Sequence, residues 1–431
     1  MKNYQSWGRY PKVNQQGKIQ EWRNCLLPEG YDSLLPYGQG RSYGDVCLND
    51  KGIILDTEQL NHFIRFDKEN GVLCCEAGVT LDEILKLVIP AGWFLPVTPG
   101  TRFISVGGAI ANDVHGKNHH RAGTFGSHVR ALELLRSDGE RLFCSPDDNQ
   151  DFFHATISGL GLTGLITWAE IQLKPISSSS ISGESLRYSS IEEFFEISNA
   201  SDVDWEYTVS WIDCTTRKGR GIFYRGNHSD DGKLSTHSLK KGQMSVPFNI
   251  YGRLLNKYSV KLFNNTIYNK HWQKKSAFTK DLIPFFYPLD RIGNWNRLYG
   301  ANGFLQFQSV VPIRDAHKTT SEMLGKIVDS GMGSFLAVLK VFGDPISPGM
   351  MSFPRRGVTL ALDFPFRGKV TQRLFNELEA IVADAGGAIY PAKDACMAGE
   401  NFVQYYPAAS EFQNFIDPAF SSNFWRRVNG Q

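Results

Sequence analysis

Two glycine-rich segments constrain the fold of this 431-residue chain more than any other feature of its sequence. The first is YGQGRSYGDVCLND at 37–50, and the second is PGTRFISVGGAIANDVHGKNHHRAGTFGSHV at 99–129. Because glycine has no Cβ atom, such loops let the backbone approach a large flat ligand, and their successive amides can form an anion-binding nest. Together the two segments predict a nucleotide cofactor held against the backbone, whereas the first alone is equally consistent with a surface turn.

The spacing of the first segment excludes the two commonest phosphate-binding loops. Gly38, Gly40 and Gly44 are one residue too widely spaced for the GxGxxG fingerprint, and the polar DVCLNDKG that follows shows no apolar helical stripe. The GK[ST] ending of a P-loop is also absent. The chain therefore needs another kind of nucleotide-binding fold.

The second segment also carries His115, His119, His120 and His128. His115 and His119 are four residues apart, as two metal ligands on a helix are, but glycines interrupt the segment and no ligand set is complete. We therefore expect no metal site. We expect His119 and His120 to be ordinary hydrogen-bonded or surface side chains.

Short apolar runs bounded by glycine, GIILDT (52–57) and GVLCCEAG (71–78), predict buried strands in the first 175 residues. Thr80 and Glu83 form a capping box ahead of an apolar helical face. The stretch 129–145 predicts two strands around an Asp-Gly turn.

The serine-rich ISSSSISG (176–183) marks a domain boundary, after which the segments become longer and more mixed. A later apolar face predicts a helix that stops at a Gly-Gly pair. The members of that face are Val370, Leu374, Leu378, Ile381 and Ala385.

Composition narrows the class of protein. The net charge of +2 provides no global case for nucleic-acid binding, and no apolar run reaches the length of a membrane-spanning helix. The seven cysteines are an odd number without a CxxC pair, which favours reduced thiols in a cytoplasmic protein.

One segment departs from the near-neutral charge of the whole chain. Residues 231–280 carry ten Lys or Arg against a single acidic residue, Asp231, interleaved with Phe, Tyr, Leu and Trp. Two interpretations remain open, a peripheral contact with an anionic membrane face and a solvated charged loop.

Three of the segments, GQGRSYGD, PGTRFISVGGAIANDVHGKNHH and GLGLTGLI, resemble the FAD-linked oxidase family with its vanillyl-alcohol-oxidase, or PCMH-type, flavin domain. Further segments resemble, in the same order, the branch of that family that oxidises a polyprenyl-phosphate-linked ribose. These are SWID, YPLDRIGNWNRLYGANGFLQFQ, FLAVLKVFG, SFPRRG and YPAKD.

The resemblance implies an α+β fold in three parts. A PCMH-type FAD-binding domain of two subdomains would occupy 1–177. A substrate-binding domain of antiparallel sheet flanked by helices would occupy 178–388, and a C-terminal segment, 389–431, would return to the FAD domain.

The resemblance also implies the cofactor-binding residues. Tyr43 stands where many relatives carry a histidine bonded to the flavin, and RAGTFGSH contains no cysteine for a second bond, so we expect non-covalent FAD. The implied cofactor contacts are Gly38, Gly40, Arg41, Ser42, Tyr43, Gly44, Gly100, Ser105, Val106, Gly107, Gly108, Asn112, His115, Ile166 and Tyr390.

The implied reaction is oxidation of the 2-hydroxyl of the lipid-linked ribose to the 2-keto intermediate. This is the first half of an epimerisation that yields an arabinose donor for cell-envelope glycans. An NAD(P)H-dependent short-chain reductase would complete it, with the oxidase in the cytoplasm or at the inner membrane face. A flavin-dependent oxidase of a soluble polyol or aldonolactone, and a flavin-binding scaffold without turnover, are the alternatives.

Alcohol oxidation by a flavin needs a base for the hydroxyl proton, and Lys393 and His115 are the two candidates.

Gln306 and Gln308 alternate on a predicted strand, so they would face either the sugar or solvent together. Lys340, in the apolar FLAVLKVFG, suggests a cation that faces the site. Lys117 and Trp211 complete the expected substrate contacts, although core packing explains Trp211 equally well. Ala361 and Phe286 replace a cysteine and a tyrosine of that branch, which leaves the exact substrate open.

Overall fold

The computed structural model describes residues 2–236, 244–250 and 255–430. Helices and antiparallel sheets are mixed along the chain, which confirms the expected α+β character. The strands are β1 (Gln16–Ile19), β2 (Leu34–Tyr37), β3 (Ile53–Asp56), β4 (Phe63–Asp67), β5 (Val72–Glu76), β6 (Trp93–Phe94), β7 (Val129–Leu135), β8 (Arg141–Cys144), β9 (Leu165–Gln172), β10 (Lys174–Pro175), β11 (Ser180–Tyr188), β12 (Tyr207–Ile212), β13 (Gly221–His228), β14 (Met244–Ser245), β15 (Lys275–Asp281), β16 (Ile292–Gly293), β17 (Phe304–Val311), β18 (Ala337–Phe342), β19 (Gly357–Pro365) and β20 (Ala388–Ile389). The helices are α1 (Leu81–Val88), α2 (Val106–Ala111), α3 (His119–Ala122), α4 (Gln150–Thr156), α5 (Ile191–Asn199), α6 (Lys257–Lys270), α7 (Leu282–Phe286), α8 (Ala316–Ser330), α9 (Lys369–Asp384), α10 (Gly399–Tyr405), α11 (Ala409–Phe412) and α12 (Asn423–Val428).

The part of the chain before the serine-rich boundary contains two principal sheets. One is parallel with the order β1-β3-β2, and the other is antiparallel with the order β4-β5-β9-β7-β8. The two predicted glycine-bounded strands are confirmed as β3 and β5, and every residue in both is buried. The predicted hairpin is confirmed as β7 and β8, with Gly139 at φ 88° in the turn, where a side chain would be strained.

The capping box of α1 is confirmed. The Thr80 hydroxyl accepts a hydrogen bond from the Glu83 N–H at 3.3 Å, and the Glu83 carboxylate accepts one from the Thr80 N–H at 2.8 Å. The buried face of α1 then packs in the same core as Val106, Ala109 and Ile110 of α2. Helix α1 therefore packs in one core with the part of the second glycine segment that forms α2.

An eight-stranded sheet with the order β15-β11-β13-β12-β18-β19-β17-β20 dominates the second half of the chain. Strand β17 lies between β19 and β20 and is buried along its whole length. Gln306 is paired with Asp363, and Gln308 with Ala361. The two glutamines share one face of a buried strand, so the solvent-facing interpretation is wrong.

Helix α9 begins and ends close to its predicted bounds, and Gly386 at φ 67° follows it. Leu374, Leu378 and Ile381 enter the core of the sheet as expected. Val370 does not, because it lies in the first turn beyond that core and is 57% exposed.

The C-terminal residues contact β2 and the first glycine segment. The Leu34 N–H donates to the Ala419 carbonyl at 2.7 Å. Arg427 donates to Asp45 at 2.9 Å and to Asp394 at 2.7 Å, and both carboxylates are buried. One guanidinium therefore ties the first glycine segment to the turn that carries Lys393.

Three basic residues of 231–280, Lys240, Lys241 and Arg253, lie outside the described residues. Within the described ranges, none of the helices combines the length and the apolar character needed to cross a membrane.

Candidate active site

A large cavity lies where the two glycine segments meet β17, β18 and the turn at 391–393. Residues far apart in the sequence come together there, as the predictions require. The predicted site residues that line it are Gly38, Gly40, Arg41, Ser42, Tyr43, Gly100, Ser105, Gly107, Gly108, Asn112, His115, Lys117, Ile166, Gln306, Gln308, Lys340, Tyr390 and Lys393. Ala361 and Phe286, the two departures from the family pattern, line the same cavity.

Three predicted contacts lie outside the cavity lining. Val106 is fully buried in the core beneath the cavity, since it begins α2 and packs toward α1. Gly44 faces the 391–394 turn instead, where an added Cβ atom would meet the Asp394 carbonyl oxygen at 1.5 Å. Trp211 is half-buried and its indole N–H donates to the Phe335 carbonyl at 3.1 Å, so it has a structural partner already.

The two glycine segments contact each other directly. A Cβ atom on Gly38 would lie 2.2 Å from Ser105 Oγ, and Gly40 has a φ of 58° that other residues rarely adopt. Ser105 caps α2 by accepting a hydrogen bond from the Gly108 N–H at 3.3 Å. The result is a cavity wall made largely of backbone, which suits a large flat ligand.

Several buried polar atoms on this wall lack a protein partner among the described residues. These are Nε of Arg41, Oδ1 of Asn112 and Nδ1 of His115. The Arg41 guanidinium also lies over the Trp7 ring, 4.3 Å from its centroid. A buried polar group without a partner is costly, so these atoms indicate a polar ligand that completes them. The cationic guanidinium suits a pyrophosphate, and the glycine wall suits an isoalloxazine ring, so the residues present fit FAD.

Comparison with known proteins agrees with this geometry. Residues 29–145 match the FAD binding domain family. The decaprenylphosphoryl-β-D-ribose oxidase of Mycolicibacterium smegmatis is 35% identical over 417 residues, covering 93% of this chain and 90% of that protein. The chain belongs to the decaprenylphosphoryl-β-D-ribose oxidase family. It is an FAD-dependent oxidoreductase.

Other relatives match shorter stretches. Mouse L-gulonolactone oxidase is 31% identical over 140 residues, which is 32% of this chain and 31% of that protein. Human Δ(24)-sterol reductase is 31% identical over 116 residues, 27% of this chain and 22% of that protein. Similarity to the decaprenylphosphoryl-β-D-ribose oxidase family extends much further along the chain, through the segments of the eight-stranded sheet.

Three buried lysines line the cavity of this family member. Lys340 donates to the Gly116 carbonyl and Lys117 to the Phe286 carbonyl at 3.1 Å, while Lys393 lies over the Tyr43 ring, 3.7 Å from its centroid. None of the three forms an ion pair in the parts of the chain that the structure describes. Burial lowers the pKa of Lys117 to about 8 and holds the pKa of Lys340 well below its usual range.

His115 lies against strand β17 of the eight-stranded sheet. Its Nε2 is 3.0 Å from the Gln308 amide nitrogen, which places the histidine as the acceptor. Burial, together with the charges of Lys340, His119 and Lys393, holds the pKa of His115 well below its usual range. The imidazole is therefore neutral at neutral pH.

The expectation for the neighbouring histidines is half right. The Nε2–H of His120 donates a hydrogen bond to the Trp205 carbonyl, 3.0 Å away. His119 is neither at the surface nor hydrogen-bonded within the described residues, because it is fully buried with its ring centroid 4.6 Å from that of Phe342.

The sequence predictions missed Asp363, which is buried opposite Gln306 on β19. Its Oδ1 accepts from the Gln306 amide at 2.5 Å, and its Oδ2 has no partner among the described residues. Burial raises the pKa of Asp363 and lowers the pKa of Lys393, and the attraction between their charges opposes both shifts. A carboxylate inside the apolar run LALDFPF was the available signal, by the same logic that singled out Lys340.

Proposed function

We propose that this FAD-dependent oxidoreductase oxidises the 2-hydroxyl of a polyprenyl-phosphate-linked ribose to the 2-keto intermediate. The observation that carries the proposal is the meeting of the glycine wall with three buried lysines in one cavity, none of which forms an ion pair within the described residues. The ammonium groups of Lys117 and Lys340 favour an anionic substrate such as a phosphodiester. The name of the Mycolicibacterium smegmatis relative, which matches along 93% of this chain, specifies such a substrate.

When bound, FAD supplies the acceptor for the hydride that leaves the carbinol carbon. The protein must then hold the sugar and accept the hydroxyl proton. A base is most effective when its pKa lies near the ambient pH. The pKa of His115 is far below that range, whereas burial brings the pKa of Lys393 down toward it. Lys393 Nζ is therefore our choice for the proton acceptor.

His115 and the two glutamines then act as positioning residues. Gln308 holds the His115 ring, and Gln306 is held by Asp363. Their amide nitrogens are already engaged, so we propose that the two glutamines present their amide oxygens to the sugar hydroxyls. Lys117 and Lys340 would bind the phosphate.

The test is anaerobic mixing of the holoenzyme with a polyprenyl-phosphoryl ribose while the flavin absorbance is recorded. Bleaching of the oxidised flavin, with one 2-keto product formed per flavin reduced, is the expected result. A flavin that stays oxidised with this substrate contradicts the proposal. Bleaching by free polyols or aldonolactones, with peroxide released in air, would favour the soluble-substrate oxidase instead, and no bleaching by any of them would favour a scaffold.

We also propose the three-part architecture of a PCMH-type FAD domain with two subdomains at 1–177, a substrate domain at 178–388 and a returning segment at 389–431. The two principal N-terminal sheets are built from strands before Pro175, and the eight-stranded sheet is built from strands that begin at Ser180 or later, which supports the division. The contacts of Leu34 with Ala419 and of Asp45 with Arg427 support the return of the C-terminal segment.

FAD is held non-covalently in this proposal, because Tyr43 occupies the position of the flavin-linking histidine of other relatives. Acid or heat denaturation followed by filtration should release the yellow flavin into the filtrate. Flavin that stays with the denatured chain would contradict this part of the proposal.

The keto product needs a second enzyme to complete an epimerisation. We propose an NAD(P)H-dependent short-chain reductase that returns the ketone to an alcohol of inverted configuration, at the cytoplasmic face of the membrane. Its addition with NAD(P)H to the oxidase reaction should convert the 2-keto product into the arabinose epimer, and a product that remains ketone would exclude this partner.

A further inference from the structure

Two segments that pack beside the cavity wall, together with Trp272, expose large apolar side chains. We call this surface the docking face and define it by residues 244–250, helix α6 and Trp272. Met244 is 81% exposed, Phe248 71% and Trp272 77%. On α6, Tyr258 and Leu262 are one helical turn apart and are 72% and 69% exposed. Such a concentration of exposed apolar side chains marks an interaction surface.

Lysines surround these apolar residues. Lys257, Lys261 and Lys270 are exposed on α6 and form no ion pair within the described ranges. Lys274 and Lys275, just beyond the helix, do pair with Glu193 and Glu184. No acidic residue occurs from 232 to 280, and Lys257, Lys261 and Lys270 form no ion pair within the described ranges, so these three lysines give the face a positive charge.

The docking face adjoins the wall of the cavity. Strand β14 pairs with β16, and the Ile250 N–H donates to the Arg297 carbonyl at 2.9 Å, so residues 244–250 lie along the segment that carries Trp295. Trp295 lines the cavity. On the α6 side, the Phe263 ring lies 5.7 Å from that of Phe335, whose neighbour Leu336 also lines the cavity.

The composition of the face identifies its partner. Protein–protein interfaces are depleted in lysine at their centre, whereas aromatic side chains interleaved with lysine are typical of segments that lie at a membrane surface. We propose that the docking face binds the surface of an anionic lipid bilayer and holds the cavity beside the membrane. The inference rests on the proposed function in one respect, because a substrate with a prenyl chain resides in that bilayer.

Vesicle flotation tests the inference directly. The holoenzyme should float with phosphatidylcholine vesicles that contain phosphatidylglycerol, should float much less with phosphatidylcholine alone, and should dissociate as salt rises. Lys257→Glu with Lys261→Glu should reduce binding to the anionic vesicles by at least about tenfold, since each lysine near an anionic surface contributes about a fivefold factor. Tyr258→Ser with Leu262→Ser should reduce binding at both low and high salt.

Matched variants test whether vesicle binding depends on the docking face and not on any exposed aromatic or charged side chain. Trp22 is 57% exposed elsewhere on the protein, and Lys318 is exposed on α8, so Trp22→Ser and Lys318→Glu should bind vesicles as the wild type does. Wild-type protein that fails to float, or control variants that lose binding equally, would overturn the inference.

A second measurement separates this inference from the proposed reaction. With a short-chain, water-soluble phosphoryl ribose, the docking-face variants should reduce their flavin as fast as the wild type. With the long-chain substrate embedded in vesicles they should be slower by about the factor lost in flotation. Equal rates of the variants and the wild type on vesicles would overturn the docking role. If no form of the protein reduces its flavin with either substrate, the proposed function is overturned, and the flotation experiment alone then tests membrane binding by the docking face.

Discussion

Two groups of lysines, one inside the cavity and one on the docking face, use the same side chain in opposite ways. Lys117, Lys340 and Lys393 line the cavity and have lowered pKa values because burial penalises the ammonium form. Lys257 and Lys261 are exposed on α6 and remain in water. The difference shows that position, not residue type, decides whether a lysine supplies a tunable proton site or a plain surface charge.

The two groups should therefore respond differently to substitution and to salt. A buried charge acts at short range in a low dielectric and is screened little, whereas an exposed charge acts at long range and weakens as salt rises. Variants of the inner group should affect chemistry and stability, and variants of the outer group should affect only the encounter with a charged surface.

Lys393→Ala should have the largest effect of any single change in either group. Loss of a general base lowers the rate of flavin reduction by about 10²–10⁴-fold, while FAD stays bound because the glycine wall is intact. Stopped-flow absorbance of the flavin at saturating substrate measures this rate.

Lys393→Arg is the control that defines the role. Arginine keeps the charge but does not lose its proton near neutral pH. A rate as low as that of Lys393→Ala confirms the base, whereas recovery of most of the wild-type rate would show that Lys393 acts as a cation instead.

Lys340→Met should weaken substrate binding while it stabilises the fold. Removal of a charged contact to phosphate raises KM by about 10- to 100-fold. The free energy of unfolding should rise by about 1 kcal/mol, since an unpaired ammonium no longer has to be buried. Steady-state kinetics and urea unfolding of the holoenzyme measure the two effects, and a drop in stability would contradict the cost assigned to this buried charge.

Local signals in the sequence identified several segments that the structure brings together at the cavity. Glycine content identified the two glycine segments, a capping pair identified α1, a single charge in an apolar run identified Lys340, and alternation on a strand identified the Gln306–Gln308 pair. Asp363 escaped because its importance comes from cross-strand pairing with Gln306, which depends on the register of two distant strands.

Trp211 illustrates the opposite case, in which the sequence left two interpretations open. An aromatic residue on a strand near the site suggested a substrate contact, but its indole N–H is satisfied by the Phe335 carbonyl. No local pattern in the sequence specifies where the partner of such a group lies. The same applies to Arg427, whose pairing with Asp45 and Asp394 joins segments more than 300 residues apart in sequence.

The pH dependence of flavin reduction tests whether Lys393, in the cavity, accepts the proton. If neutral Lys393 is the base, the rate at saturating substrate rises with pH as its ammonium loses a proton. The Asp363 carboxylate raises the pKa of Lys393, so Asp363→Asn should move this rise to lower pH by about one unit. Asp344→Asn, at an exposed carboxylate, should leave the profile unchanged. A rise that stays in place or moves to higher pH would contradict the coupling.

Lys261→Gln should have the smallest effect and completes the comparison. With a soluble short-chain substrate its rate of flavin reduction and its KM should equal those of the wild type, because the side chain is exposed and has no ion pair within the described residues. Its affinity for anionic vesicles should fall by about fivefold at low salt, and the deficit should vanish as salt rises. A change in kinetics with the soluble substrate would show that the outer lysines influence the cavity directly, and the two groups would then form one electrostatic unit.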